Sequence, residues 1–215
     1  MNVKSLALFG LLGIGFLLGM VFLLWNFGNT EPSASDVAGE MRNVKGSGEI
    51  VVVEFSDFQC PYCAAVQDPN EVKAIGSELL SIPELSEKYQ GKIKFVYRHY
   101  PLTSTHKNAQ MAAQAAEAAG EQNKFFEYHD VLFAQQEEWS LSDKANEVFV
   151  GYAEDLGMDG EKFKTEMTSK EIQARVNLDA AAATRLRITG TPSFFVNGIK
   201  TDFEELETRI KSLVE

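Results

Sequence analysis

An α/β fold with a block of helices set inside it is predicted by three observations. A short β-branched run, Ile50-Val51-Val52-Val53-Glu54-Phe55, leads directly into Cys60-Pro61-Tyr62-Cys63. A second strand pattern near Lys92–Arg98 is followed by a long stretch of helical periodicity. Finally, Thr191-Pro192 opens a strand, an Asn-Gly turn and a last helix.

The elements follow in order. The run from Ile50 is nearly continuous in apolar residues, which suits a strand covered on both faces of a sheet. Pro61 fits the first position of a helix, where its missing N–H costs nothing. That helix is expected to run from Cys60 toward Asp68 and to break at Pro69. Further helical pieces cover about 70–80 and 83–89. Lys92-Ile93-Lys94-Phe95-Val96-Tyr97-Arg98 alternates in part and reads as the second strand. Strand, helix and strand then make a right-handed crossover with parallel strands. Ala109, Ala112, Ala113, Ala116 and Ala119 form a small-residue helix face. Phe125, Phe126, His129, Leu132 and Phe133 repeat at similar spacing over 124–136. Helices over 142–156 and 159–186 complete the block. Residues 191–196 read as a strand, Asn197-Gly198 as a hairpin turn, and Ile199 onward as its return. Asp202, with Glu205 three residues later, is expected to cap a helix reaching Leu213. The order β-α-β, helices, β-β-α is that of a thioredoxin fold with a helical insertion, here at about 104–187.

Upstream of this domain, Leu6 to Trp25 is a 20-residue apolar run without a charge, preceded by Lys4. Twenty helical residues span roughly 30 Å, the thickness of a bilayer core. Residues 1–27 are therefore expected to be a signal anchor with the rest of the chain outside. Ser33-Ala34-Ser35 keeps cleavage and a secreted form as the alternative. Residues 28–48 read as a polar linker, with Val37–Val44 open to lying on the domain, and the folded domain is expected over 49–215. The net charge is −11, or −12 beyond the single charge of the first 30 residues. No basic face for nucleic acid follows from that balance.

There are two cysteines, Cys60 and Cys63. A bridge across so short a loop removes only about 2 kcal/mol of unfolded-state entropy, so it is a poor staple. No second Cys pair exists, and His99, His106 and His129 lack zinc-finger spacing. No metal or cofactor is expected, and redox chemistry is the leading use of the thiols. At a helix N-terminus the Cys60 thiolate is stabilised by unpaired N–H groups. Cys63, one turn on, is placed to attack a mixed disulfide at Cys60. Thr191-Pro192, just before a strand and after a CxxC, is the expected cis-proline loop facing Cys60. In that geometry the Thr191 backbone can pair with an extended polypeptide. The plain alternative is a trans proline opening an edge strand.

The stretch Val53-Glu54-Phe55-Ser56-Asp57-Phe58-Gln59-Cys60-Pro61-Tyr62-Cys63 resembles the active-site strand and turn of the DsbA family of extracytoplasmic thiol–disulfide oxidoreductases, and its membrane-anchored bacterial members in particular. Tyr97–Leu102, Ala115–Phe133 and Gly190–Gly198 resemble that family's next strand, inserted helices and cis-proline hairpin. The resemblance covers about 45–215. It implies Cys60 as nucleophile, Cys63 as resolving thiol, Pro192 as the cis proline and Glu54 as a buried carboxylate beneath the site. Pro61, Tyr62 and Thr191 would then meet the substrate. Glu54 could relay the proton of Cys63; the alternative is a strand-end carboxylate facing water. Asp57 reads as a turn residue, and His99 and His129 as packing or surface groups. Two departures stand out: the segment around Asp68–Pro83 is about ten residues longer than usual, and Pro61-Tyr62 lacks the histidine of the best-known oxidases.

The expected function is an oxidase that passes the Cys60–Cys63 disulfide to reduced, unfolded secreted or membrane proteins. The resemblance further implies a quinone-linked membrane thiol oxidase as reoxidant. A reductase or isomerase, and a peptide-binding holdase with incidental thiols, are the alternatives.

Overall fold

The computed structural model describes residues 33–215. The expected anchor at 1–27 lies outside them, as do residues 28–32 of the linker. Among the described residues, no helix is long and apolar enough to cross a membrane.

Five strands form one mixed sheet in the order β1-β3-β2-β4-β5. They are β1 (Val44–Lys45), β2 (Ile50–Ser56), β3 (Ile93–His99), β4 (Ser193–Val196) and β5 (Ile199–Thr201). β2 and β3 are parallel, as a strand–helix–strand crossover requires, with Glu54 opposite Tyr97 and Ser56 opposite His99. The other pairs are antiparallel. The β4–β5 turn uses Asn197 and Gly198, both at positive φ, as an Asn-Gly hairpin demands. Asn197 also accepts from the Val51 N–H through its side chain at 2.8 Å, which ties the turn to β2.

Alternation along β2 divides the core. Val53 and Phe55 face one side with Val96, Phe195 and the residues Ala182 and Ala183. Ile50 and Val52 face the other, with Tyr97, Phe58, Cys60 and Cys63. Glu54 and Ser56 continue that second face by the two-residue period of a strand.

Segment 33–48, read as linker by composition with Val37–Val44 open to lying on the domain, packs on it. Ser33 caps a short helix, α1 (Ala34–Ala38), in a reciprocal capping box with Asp36. Val37 is fully buried. The Arg98 guanidinium donates to the Val37 carbonyl at 2.9 Å and to Asp179 at 2.7 and 3.0 Å. Asn43 donates to the buried Glu117 at 2.7 Å. Gly39 lies against Arg98 with φ +60, and a Cβ there would come within 2.6 Å of the guanidinium. These polar contacts are long range, so composition alone could not show them.

Between β2 and β3 the chain makes α2 (Pro61–Ala65), α3 (Pro69–Ile75) and α4 (Ile82–Lys88). The first helix stops at Ala65, earlier than expected. Asp68 then starts α3 by accepting from the Asn70 N–H at 2.7 Å, with Pro69 as its first residue. Ser81 and Glu84 form a capping box on α4, and Ser81 is fully buried. Replacing Ser81 with alanine should therefore lower stability by about 1 kcal/mol, read from the urea midpoint at unchanged slope.

The insertion comprises α5 (Ala109–Gly120), α6 (Phe125–Ala134), α7 (Gln136–Trp139), α8 (Ala145–Asp155), α9 (Gly160–Met167) and α10 (Lys170–Arg185). The single helix expected over 159–186 is two, because Ser169 caps a new start by accepting from the Ile172 N–H. After β5, Asp202 makes no side-chain cap. A 3₁₀ turn over Phe203–Glu205 intervenes, and α11 runs over Leu206–Val214.

Candidate active site

β2 ends at Ser56, and the next four residues carry the chain across the top of the sheet to Cys60. Asp57 holds that turn. Its carboxylate accepts from the Gln59 N–H at 2.8 Å, the Leu102 N–H at 2.8 Å and His106 Nδ1 at 2.7 Å. That matches its reading as a turn residue. The helical insertion clamps the same loop. Gln136 donates to the carbonyls of Phe58 and Cys60 at 2.7 and 3.1 Å. Gln59 donates to the Ser140 carbonyl at 2.7 Å and accepts from the Asn108 N–H at 2.8 Å. These amides carry no period or motif that marks their role.

Cys60 occupies the N-cap of α2, and both cysteines are free thiols. Cys60 keeps a 4% exposure, whereas Cys63 has none. The Cys60 thiol donates to the Thr191 carbonyl at 3.5 Å. The Thr191-Pro192 peptide bond is cis. Thr191 and Pro192 are half-buried, while Pro61 and Tyr62 are exposed, Tyr62 by 73%. All seven residues proposed as site residues therefore fall within one region, with Glu54 and Cys63 below the surface and the other five at or near it.

The two thiols titrate in opposite directions. Cys60 is lowered from 9 to about 6, chiefly by the hydrogen bond from the Cys63 thiol. The Thr191 side chain and the N–H groups of Cys63 and Tyr62 add to this, against the cost of burial. The helix end is the expected cause of this lowering. With α2 only five residues long, the neighbouring thiol is the larger cause. Cys63 is pushed well above 9, first by burial and then by Cys60 and Glu54.

Glu54 is wholly buried beneath the pair. Burial raises its carboxyl from 4.5 to about 7, with Ser56 and Gln67 opposing. Gln67 donates to Glu54 Oε2 at 3.3 Å. His99 is buried against Glu117 at 3.0 Å. His129 is buried among Phe58, Tyr97 and Phe133, with Nδ1 on Asp130 at 2.8 Å. Both are packing groups, and neither reaches the thiols through a hydrogen bond. Among the described residues no cluster of three potential metal ligands occurs.

Two depressions flank Cys60. One of about 610 Å³ is lined by Pro61, Ala64, Gln67, Pro69 and Phe133, with Asp68, Glu71 and Asp130 adding acid. The other, about 320 Å³, is lined by Thr191, Pro192, Lys200 and Phe203. Both open beside the one thiol that reaches the surface.

Comparison with known proteins gives a consistent picture. The profile of the thioredoxin family matches residues 46–215. A thioredoxin-like oxidoreductase from Silicibacter pomeroyi superposes with a TM-score of 0.65 at 26% identity, covering 84% of this chain and 96% of that one. The thiol-disulfide exchange protein alpha-DsbA2 from Wolbachia pipientis superposes with a TM-score of 0.63 at 20% identity, over 83% and 90% of the two chains, a likeness of fold. A Na(+)/H(+) antiporter NhaA 3 from Salinispora tropica is 39% identical over 158 residues. That match takes in 73% of this chain but 22% of the antiporter, so the chain spans under a quarter of that relative's length.

Proposed function

This chain belongs to the thioredoxin family, and on that premise we propose that it is a protein disulfide oxidase of DsbA type. A thiol–disulfide oxidoreductase needs one exposed, acidic thiol and one sheltered partner. The opposite titration of Cys60 and Cys63 is the observation that carries the reading.

The exchange proceeds in two steps. A substrate thiolate attacks Cys60 of the Cys60–Cys63 disulfide, and Cys63 leaves as a thiolate and takes a proton. A second substrate thiolate then attacks the substrate sulfur of the mixed disulfide. Cys60 leaves as a stabilised thiolate, the substrate gains its disulfide, and the protein is left as a dithiol. Glu54, at about 7, holds a proton in part of the population near neutral pH and suits both giving and taking one. Thr191 offers its backbone to an extended chain at the rim of the smaller groove.

The direction of electron flow follows from magnitude. A thiol at 6 rather than 9 favours the reduced form at pH 7 by about 1.4 kcal/mol, or about 30 mV. The Cys60 value lies between the ranges of about 3.5 and about 7 that accompany strong oxidants and reductants. The potential is therefore expected between about −270 and −120 mV, the values of those two extremes. Titration of the purified protein in glutathione buffers tests it. A potential at or below about −270 mV would overturn the oxidase reading in favour of a reductase.

The substrates of this reading are reduced, unfolded polypeptides outside the cytoplasm. The apolar run from Leu6 to Trp25 supports a membrane-attached chain with an exterior domain. A quinone-linked membrane thiol oxidase is the reoxidant proposed by family resemblance. Ion transport is not carried over from the antiporter relative, since 78% of that protein has no counterpart in the match.

A further inference from the structure

We propose that the groove of about 610 Å³ beside Cys60 is a substrate subsite for a basic, partly apolar segment of the polypeptide that carries the reacting cysteine. This rests on the oxidoreductase reading and names the substrate chemistry that its site prefers. Pro61, bonded to Cys60, forms part of the groove wall, so the groove begins one residue from the reactive thiol. Its volume lies within the range of about 300–1,000 Å³ for clefts that bury most of a drug-sized ligand. Ala64 of α2, Pro69 of α3, Pro83 of α4 and Phe133 of α6 give it an apolar floor. The segment 68–83, noted for its extra length, thereby builds one wall.

Three carboxylates edge that floor, Asp68 and Glu71 at the start of α3 and Asp130 on α6. No Lys or Arg lines it. Lys73, on the same helix as Glu71, is 3.5 Å from Glu84. Lys45 lies over the Phe126 ring at 5.8 Å, in a neighbouring depression that shares Pro83. Capping of α3 accounts for Asp68 alone. Asp130 sits within α6 and meets His129 Nδ1 at 2.8 Å, and burial lowers His129, which keeps that ring neutral at pH 7. Acid from two separate elements therefore converges on one apolar groove without a cation to balance it. Lys and Arg side chains, with apolar stems and charged tips, complement both features. A second copy of this chain does not, since it carries −11 and brings acid to acid.

The exchange itself is unchanged. Two substrate thiols are oxidised to a disulfide, and the Cys60–Cys63 disulfide is reduced to a dithiol. What the groove adds is attraction for a cation a few residues from the attacking cysteine, which speeds encounter and holds the chain at Cys60. Exposed ion pairs of this kind are individually weak, so two of them are expected to change the rate by about 2- to 10-fold at low salt.

The test mixes the oxidised full-length protein with either of two dithiol peptides and follows its reduction by acid quench and mass spectrometry. The peptides are identical except for two Lys or two Glu, placed three and four residues from the cysteines. The unsubstituted protein should react faster with the Lys peptide, and raising the salt to about 0.5 M should shrink that preference. The double change Glu71→Gln with Asp130→Asn should cut the Lys-to-Glu rate ratio by about 2- to 10-fold, a comparison in which the peptides' own reactivities cancel. Glu71→Lys alone should cut it as well. Neutralising two exposed carboxylates outside the groove, Glu154→Gln with Asp155→Asn, should leave it within about two-fold. Dithiothreitol, which needs no groove, should reduce all these proteins alike. A ratio unmoved by the groove variants, or moved as far by the pair on α8, would overturn the subsite. A dimer in sedimentation that Ala134→Arg splits would assign the groove to a second copy and overturn it too. Absence of exchange with either peptide and with dithiothreitol in the unsubstituted protein would instead overturn the oxidoreductase reading, and the subsite with it.

Discussion

Replacing Cys60 with serine is expected to lower thiol exchange by at least about 1,000-fold. At pH 7 a thiol titrating at about 6 is mostly thiolate, whereas one above 9 is ionised in fewer than about 1 in 100 molecules. Ionisation alone therefore separates the two by roughly 100-fold, and the thiolate is the nucleophile. Burial widens the gap, because Cys63 has no exposed surface for a partner sulfur to approach. The reciprocal change separates the roles. Cys63→Ser keeps the reactive thiol, so it should form mixed disulfides that persist. Exchange with a reduced model polypeptide, followed by gel mobility under non-reducing conditions, reads both variants. Full retention of biological activity in Cys60→Ser would favour a peptide-binding holdase with incidental thiols.

Local signals carried the fold and the surface of the site. Cys60-Pro61-Tyr62-Cys63 marks itself by spacing and by a strand before it. Asn197-Gly198 marks its hairpin because the turn demands positive φ at both positions. Thr191-Pro192 was legible by its order after the CxxC. What escaped was set by partners far away in the chain. Gln136 and Cys60 are 76 residues apart, and Arg98 and Asp179 are 81 apart. No local period links such pairs. For 33–48 the sequence left only Val37–Val44 open to lying on the domain, since the polar composition reads as a linker until Arg98, Asn43 and Glu117 are brought together. Ser56 is the instructive case. Glu54 was singled out for its charge in an apolar strand, and the two-residue period already put Ser56 on the same face. Only the burial of both, with Tyr97 alongside, turns that alternation into a polar cluster under Cys63.

That cluster makes the second large effect, in Glu54→Gln. The folded-state carboxyl is raised to about 7 from 4.5. For an acid raised in this way, the folded chain keeps a proton that the unfolded chain releases. The contribution to stability is fully present below about 4.5, is lost as pH rises to about 7, and is level above that. The loss amounts to about 3 kcal/mol. Glutamine stays neutral, and its oxygen can still accept from Gln67 as Glu54 Oε2 does at 3.3 Å. The variant should therefore match the parent near pH 4 and exceed it by about 3 kcal/mol at pH 8. Cys60 has the opposite sign, because its folded-state value is lowered, and it adds stability between about 6 and 9. Urea unfolding across pH 4–8 in a Cys60→Ser background removes that overlap. Parallel pH profiles for the two proteins would show that Glu54 is ionised at its ordinary value, which its complete burial forbids in the present account. Because the Glu54 charge opposes thiolates at Cys60 and Cys63, the same change in the dithiol protein should also make the disulfide more oxidising. One carboxyl then sets stability against redox poise: up to about pH 7 its burial holds a proton that the unfolded chain releases, and above that its buried charge costs the fold and opposes the two thiolates.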